Sequence, residues 1–367
     1  MIDLSDISLQ LSNSPFVQHG LKSLEDINSD IYFSIAVNKD QIFREKKRLL
    51  EKNNLRKLIV VNNATNYGNL NRSTVWGDII FIHARDVKNI NTNNLKILEL
   101  LNNSIVFFTS NVFAEIGAKK MGWLYSQTSE AVYVIHDYDN HHWLENNLQA
   151  AIFSDVYVPA HQGDFLLPGR VNRNILGGVP CGSNQWSREF ISQQVSSLLD
   201  IKRLNSPLGK YYLYKNFTYR NKVIATLSKI YPSVGLIKDD FHAKSPQEKW
   251  GEWVQHKLHW IIPVLNDLPI RFFDALITGG LPLIPCSLES YAKNLGIPKE
   301  FYVVYSPIDI LEPENFVSQQ IERFDKLGNE GILARHQFSM NKFHIDQIYS
   351  SIIRSTLTIY EQENFSV

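Results

Sequence analysis

Strand-length apolar runs alternating with helical patterns predict an α/β protein built on parallel sheets with helices on both faces. A length of 367 residues predicts two domains. The third observation is Leu268–Pro285, LPIRFFDALITGGLPLIP, in which a helix over Arg271–Thr278 feeds through Gly279 and Gly280 into a buried strand, Leu281–Ile284. That is half of a doubly wound unit.

Along the first half, strands are expected at Asp30–Val37, Lys57–Val61, Asp78–His83, Ser104–Thr109 and Ala131–Ile135. Helices are expected at Gln41–Lys52, Asn93–Leu101 and Asn111–Tyr125. His161–Asn184, rich in Gly, Pro and Asn, reads as loop and linker approach. A helix over Trp186–Leu204 follows, then strand Tyr211–Tyr214 and helix Tyr219–Ile230 with Thr218 as N-cap. Strand Ser233–Ile237, helix Gln247–His259, strand Ile261–Leu265, last strand Phe301–Tyr305 and a long helix from Asn341 complete the chain. The domains are set at residues 1–205 and 206–340, with a C-terminal helix at 341–367.

Lysine plus arginine equals aspartate plus glutamate, 37 each, so no nucleic-acid partner is expected. Two cysteines, Cys181 and Cys286, form neither a disulfide framework nor a metal-ligand spacing, which fits a reducing compartment. The N-terminus lacks a basic region followed by an apolar core, and no stretch is long and apolar enough to span a bilayer. A cytoplasmic protein is expected. The basic segment Phe43–Lys57 suits peripheral association with an anionic membrane surface, or serves as a solvated helix face.

The chemistry-bearing residues gather where strands end, which is where open α/β sheets bind ligands. Arg271 and Asp274 lie one helical turn apart, a pair suited to a phosphate and a ribose. Val132–Trp143 (VYVIHDYDNHHW) places His136, Asp137, Asp139, His141 and His142 at and just past a strand's carboxyl end. Burying so many titratable groups is costly without a use. Asp137-Tyr138-Asp139 is also a D-x-D, and His136, His141 and His142 are a conceivable zinc set; no metal is expected, because adjacent helical histidines diverge. Asn62, Asn63, Thr65, Tyr67 and Gly68 follow another strand and are candidate acceptor contacts. Arg220 and Lys222 stand in the first turn of a helix, where the dipole favours acids, unless an anion must be neutralised. After strand Ser233–Ile237 come Lys238, Asp239, Asp240 and His242; either aspartate suits a general base or nucleophile, and His242 a phosphate contact.

Arg271, Phe272, Phe273, Asp274, Ala275, Leu276, Gly280 and Pro282 resemble the donor-binding motif of GT-B glycosyltransferases in its exostosin-like variant. The resemblance implies two Rossmann-like domains facing across a cleft, with a nucleotide-sugar in the second and Asp274 on its ribose. His136-Asp137 resembles the His-Asp that ends a strand in retaining members, which implies His136 beside the transferred sugar and Asp137 holding its ring. Ala150–Ala160 and Gly177–Gly182 resemble, in the family's order, the next strand and the element closing the first domain. Arg220 and Lys222 resemble the basic groups that receive the diphosphate, and the last helix resembles the one by which such chains cross back to the first domain. One departure is Asn266, eight before Asp274, where retaining members carry a glutamate; a glycine-rich turn is missing too. The donor sugar and the stereochemical outcome stay open.

The function expected is metal-independent sugar transfer, without a cofactor, from a nucleotide-sugar to a glycan or lipid-linked acceptor in bacterial capsule or lipopolysaccharide synthesis. Candidate catalytic residues are His136, Asp137 and Asp239; candidate donor contacts are Arg220, Lys222, Lys238, His242, Arg271, Asp274 and Gly280. The alternatives are a phosphoribosyl or sugar-phosphate transferase, and a non-catalytic glycan-binding protein.

Overall fold

The computed structural model describes residue 35 and residues 38–53, 57–63, 69–74, 77–90, 96–140, 144–161, 168–237, 244–265 and 267–362. The chain is a mixed α/β protein with parallel sheets. It divides into two compact units: Met1–Gly68, Arg72–Val179 and Ile352–Val367 form one, Asn69–Asn71 and Pro180–Ser351 the other. The change of unit at 179/180 comes earlier than the 205/206 expected, because Trp186, Ile191 and Leu198 are buried in the second core.

In the first unit the elements are α1 (Lys39–Asn53), β1 (Lys57–Asn62), β2 (Ser73–Thr74), β3 (Gly77–His83), α2 (Ala84–Lys88), α3 (Lys96–Leu101), β4 (Ser104–Thr109), α4 (Ser110–Ile116), α5 (Ala118–Gln127), β5 (Val132–Asp137), α6 (Leu144–Ile152), β6 (Val156–Pro159) and α7 (Pro168–Val171). The sheet order is β2-β3-β1-β4-β5-β6, parallel throughout except for the β2–β3 pair. Every residue of β4 and β5 is buried, as unbroken apolar runs in a covered parallel sheet require. Phe107 and Phe108 point to opposite faces of β4, each burial contributing about 1.5–3 kcal/mol. The single helix expected over Asn111–Tyr125 is two, α4 and α5, broken at Gly117, whose φ of +87° suits a residue without Cβ. Ala150–Ile152 end a helix, so the strand expected there begins only at Val156. Of the strand expected at Asp30–Val37, all but Ile35 lies outside the described residues.

The second unit contains α8 (Arg188–Gln194), α9 (Ser197–Asp200), β7 (Gly209–Tyr212), α10 (Thr218–Ser228), β8 (Val234–Ile237), α11 (Pro246–Val254), β9 (Leu258–Trp260), α12 (Ile270–Ile277), β10 (Leu281–Pro285), α13 (Glu289–Asn294), β11 (Val303–Tyr305), α14 (Pro307–Leu311) and α15 (Pro313–Lys342). A final helix, α16 (Ile345–Gln362), belongs to the first unit from Ile352 onward. The strands form a parallel pair, β7–β8, and a parallel trio, β11–β10–β9. Leu208 joins them: its N–H donates to Leu258 O at 2.8 Å and its carbonyl accepts from Trp260 N at 2.8 Å. The resulting order is β8-β7-β9-β10-β11.

Several expectations need correction here. The helix expected over Trp186–Leu204 is two short ones, and the chain is extended from Ile201. The helix expected to reach His259 stops at Val254, because Leu258–Trp260 pair with β10 as the strand that was placed at Ile261–Leu265. Thr218 is the first helical residue; Phe217 holds the cap position. Helix α15 had no counterpart in the sequence reading; it is polar along most of its length and is kinked at Gly328, φ +55°.

Helix α12 and strand β10 follow the expected pattern. Gly279 is left-handed at φ +70°, just past the helix end, and Gly280 N–H closes back onto Ala275 O at 2.8 Å. Three cationic or neutral basic side chains complete the last turn. Arg203 Nη2 donates to Thr278 O at 2.8 Å, Arg335 Nη2 to Gly279 O at 2.9 Å, and His336 Nδ1 meets Ile277 O at 2.6 Å.

Candidate functional site in the second unit

Both sheets have one strand order. The first strand of each unit, β1 or β7, lies between the second long strand on one side and the next on the other. Such reversal points are where the carboxyl ends of parallel strands leave a crevice. In the second unit it is open: a cavity of about 660 Å³ is lined by the loop after β7, the start of α10, Ile262–Leu265 after β9, Pro285–Ser287 after β10 and Tyr305–Pro307 after β11. Its volume lies within the roughly 300–1,000 Å³ of small-molecule sites.

Two tyrosines fix the end of β9, which forms one wall. Tyr211 OH donates to Trp260 O and accepts from Ile262 N at 3.1 Å, while Tyr305 OH donates to Ile261 O at 3.1 Å. The start of α10 supplies the polar character. Its N-cap residue, Phe217, makes no side-chain cap hydrogen bond and no acid stands in its first turn, which favours a negative group at this end of the helix.

Among the described residues of the lining, Arg220 is the charged one. It is buried and donates from Nη1 to Tyr212 O at 2.9 Å, with its guanidinium 5.0 Å from the Tyr211 ring and 5.1 Å from that of Tyr214. Burial pulls its pKa below the ordinary arginine value. Arg271 approaches the same Tyr211 ring at 4.9 Å and that of Trp253 at 5.9 Å. Tyr211 thus brings two sequence-predicted arginines to one ring, although Arg271 does not line the cavity. Lys222, two residues on from Arg220, is exposed and outside the lining.

Asp274 is fully buried. Its Oδ1 accepts from Ser183 Oγ at 2.6 Å and its Oδ2 from Gln185 Nε2. Burial pushes its pKa up to about 6, against the pull of those two donors and of Arg271. Both carboxylate oxygens therefore serve the chain's own fold. Gly280 is required by packing: a Cβ there would stand 2.3 Å from His259 Nε2. Lys238, Asp239, Asp240, His242 and Asn266 lie outside the described residues.

At the matching edge of the first unit, His136 and Asp137 end β5 and are fully buried. His136 Nε2 meets Val179 O at 2.9 Å, and the ring stands edge-on to Tyr138 at 4.7 Å. Burial lowers its pKa to about 4, so it is neutral near pH 7. Asp137 accepts from Tyr157 OH at 2.6 Å and Asp139 N at 3.0 Å, and burial raises its pKa to about 6. The cluster extends inward: Asn140 Oδ1 accepts from His161 N at 2.8 Å, and His161 Nε2 meets Tyr138 O at 2.9 Å. Asn63 Nδ2 donates to Glu115 Oε2 at 3.1 Å; Thr65, Tyr67, Gly68, His141 and His142 lie outside the described residues. Among the described residues no group of three or more His, Cys, Asp or Glu is placed to hold a metal ion. No helix among them is long and apolar enough to cross a membrane.

Sequence reasoning missed Tyr211, Tyr305, Ser183 and Gln185. Tyr305 had a usable signal, falling at the carboxyl end of a predicted strand; Tyr211 opened its predicted strand, and only the shift of that strand to Gly209–Tyr212 puts it near the carboxyl end. Ser183 and Gln185 had none, since their partner is some ninety residues away. Comparison with protein-family models and with curated proteins finds no match.

Proposed function

We propose that the chain is a glycosyltransferase of the GT-B kind, taking a nucleotide-sugar donor into the cavity of the second unit. The observation that carries this reading is the open crevice of about 660 Å³ at the reversal of strand order, with an uncapped helix N-terminus and Arg220 in its wall. In this reading the departing diphosphate meets the first N–H groups of α10 and the Arg220 guanidinium, and Arg271 adds positive potential from beyond Tyr211. The GT-B arrangement of two Rossmann-like domains is part of the proposal, with His136 and Asp137 as the first unit's candidates beside the sugar. Asp274, outside the cavity lining and with Ser183 and Gln185 on its oxygens, enters as a residue that fixes helix α12 in place and not as the ribose contact. The acceptor is a glycan or a lipid-linked sugar, in surface polysaccharide assembly.

Calorimetric titration with a panel of nucleotides and nucleotide-sugars tests this, together with mass spectrometry of released nucleoside diphosphate. One donor should bind and turn over, and Arg220→Lys should weaken it. Absence of binding across the panel overturns the reading. Binding of a sugar diphosphate that lacks a base would favour a phosphoribosyl-type transferase instead.

A further inference from the structure

A second cavity, of about 200 Å³, lies in the first unit, beside the residues that precede β6. It is therefore at the amino-terminal edge of the sheet, away from the edge that ends in His136 and Asp137. Its volume falls below the roughly 300–1,000 Å³ of small-molecule pockets, which limits an occupant to a few heavy atoms. The lining is polar and rich in cations: Lys39, Arg44 and Arg173 with Asp40, Asp155 and the Asn172–Asn174 turn.

The charges around it do not cancel. Asp155 is spent within the fold, accepting from Lys46 Nζ at 2.8 Å, Tyr125 OH at 2.5 Å and Tyr133 N at 2.8 Å. Asp40 pairs with Arg173 at 3.2 Å. Among the described residues neither Lys39 nor Arg44 makes a close ion pair, Lys39 feeling the Asp155 carboxylate only at longer range. Lys39 Nζ donates to Ile152 O at 2.6 Å and to Tyr125 OH at 3.0 Å, which leaves a charged ammonium one further donor. Burial and the neighbouring Lys46 lower its pKa to about 7, against the pull of Asp155. The remaining titratable neighbour among the described residues is Tyr125, whose ring centre lies 4.4 Å from Lys39 Nζ, with Tyr133 and Tyr360 of α16 around Tyr125 in turn.

We propose that this cavity is a binding site for a small tetrahedral oxyanion of the phosphate class, held by the third proton of Lys39 and by the guanidinium groups of Arg44 and Arg173. An anion there supplies the missing negative charge, so its binding and the protonation of Lys39 favour each other. The site is independent of the donor cavity and of the function proposed for it.

The test is calorimetric titration of the whole chain with sulfate and with inorganic phosphate, repeated in buffers of different ionisation enthalpy. Sulfate does not titrate near neutral pH, so any proton taken up belongs to the protein. Both anions should bind, with proton uptake that grows as the pH is raised through neutrality. Arg44→Ala with Arg173→Ala, both at exposed side chains, should weaken binding about tenfold or more while leaving the thermal midpoint of the anion-free protein unchanged. Lys39→Met should abolish the proton uptake. A glycerol phosphate titration separates the sources: tighter binding than inorganic phosphate identifies a phosphorylated small molecule as occupant, weaker binding the free anion. No heat with either inorganic anion up to about 20 mM, or unchanged affinity in the double arginine variant, overturns the proposal.

Discussion

The two units share a strand order and use it in opposite ways. At the carboxyl edge of the first sheet, titratable side chains turn inward and bond to the chain itself: His136 to the Val179 carbonyl, and Asp137 as acceptor from Tyr157 and Asp139. At the corresponding edge of the second, tyrosines hold the wall and the crevice stays open, with a single arginine in its lining. A density of titratable residues in sequence therefore marks burial as readily as chemistry. Among the described residues the open edge carries few such groups, and what it offers a ligand is backbone N–H groups and space.

The contrast can be broken most sharply at Cys286, an exposed residue in the crevice lining. Cys286→Trp should fill the space and weaken donor binding about 100-fold, ~2.7 kcal/mol, with an unchanged thermal midpoint. Undiminished affinity by calorimetry would place the ligand elsewhere. The interior beneath that edge has no slack: Gly280→Ala drives a methyl into His259 and should cost about 1–3 kcal/mol in a urea titration. A midpoint within error of the parent would contradict that packing. In the first unit, Tyr157→Phe removes a donor from Asp137 and should cost about 1–2 kcal/mol, measured the same way.

The buried titratable groups respond to acid in opposite senses. His136 has a folded pKa of about 4 against an ordinary 6.5, so its contribution is complete above 6.5 and is lost as pH falls toward 4. Asp137 and Asp274, raised from 3.8 to about 6, act in the opposite sense: their protonated forms favour the fold, and stability declines as pH rises between those values. The two trends offset one another in the parent. His136→Gln, which keeps a donor for Val179, should expose the decline, giving urea midpoints that fall more steeply from pH 4 to 6. Parallel curves would mean that His136 is not buried neutral. The smallest effect is expected at Lys222, exposed and outside the crevice; Lys222→Ala should change stability by no more than about 0.5 kcal/mol and leave donor affinity unchanged.

Much of the fold was legible because β1, β4, β5 and β10 are almost wholly buried and read as unbroken apolar runs, while β3, half exposed, is carried by its Ile-Ile-Phe-Ile stretch. Lys57–Asn62, Gly77–His83, Ser104–Thr109 and Leu281–Pro285 stand within a residue of where the pattern puts them. Periodicity failed where a short strand follows a helix after only three residues, Gln255 to Lys257, so that one helical pattern runs across both. It failed again where a helix is mostly polar, as in α15. The site was less legible. Arg220 and Arg271 do come to one ring, but the carboxylate chosen beside Arg271 is held by residues far away in sequence, which no local pattern reveals.

The far end of α12 carries one more consequence. Its final carbonyls are met by Arg203, Arg335 and His336, from 75, 56 and 59 residues away along the chain. A peptide cut to the strand–helix–strand segment would lose all three and should fray from Ile277 backward. The segment most recognisable in one dimension is thus among the least autonomous in three, completed only when distant stretches have already arrived.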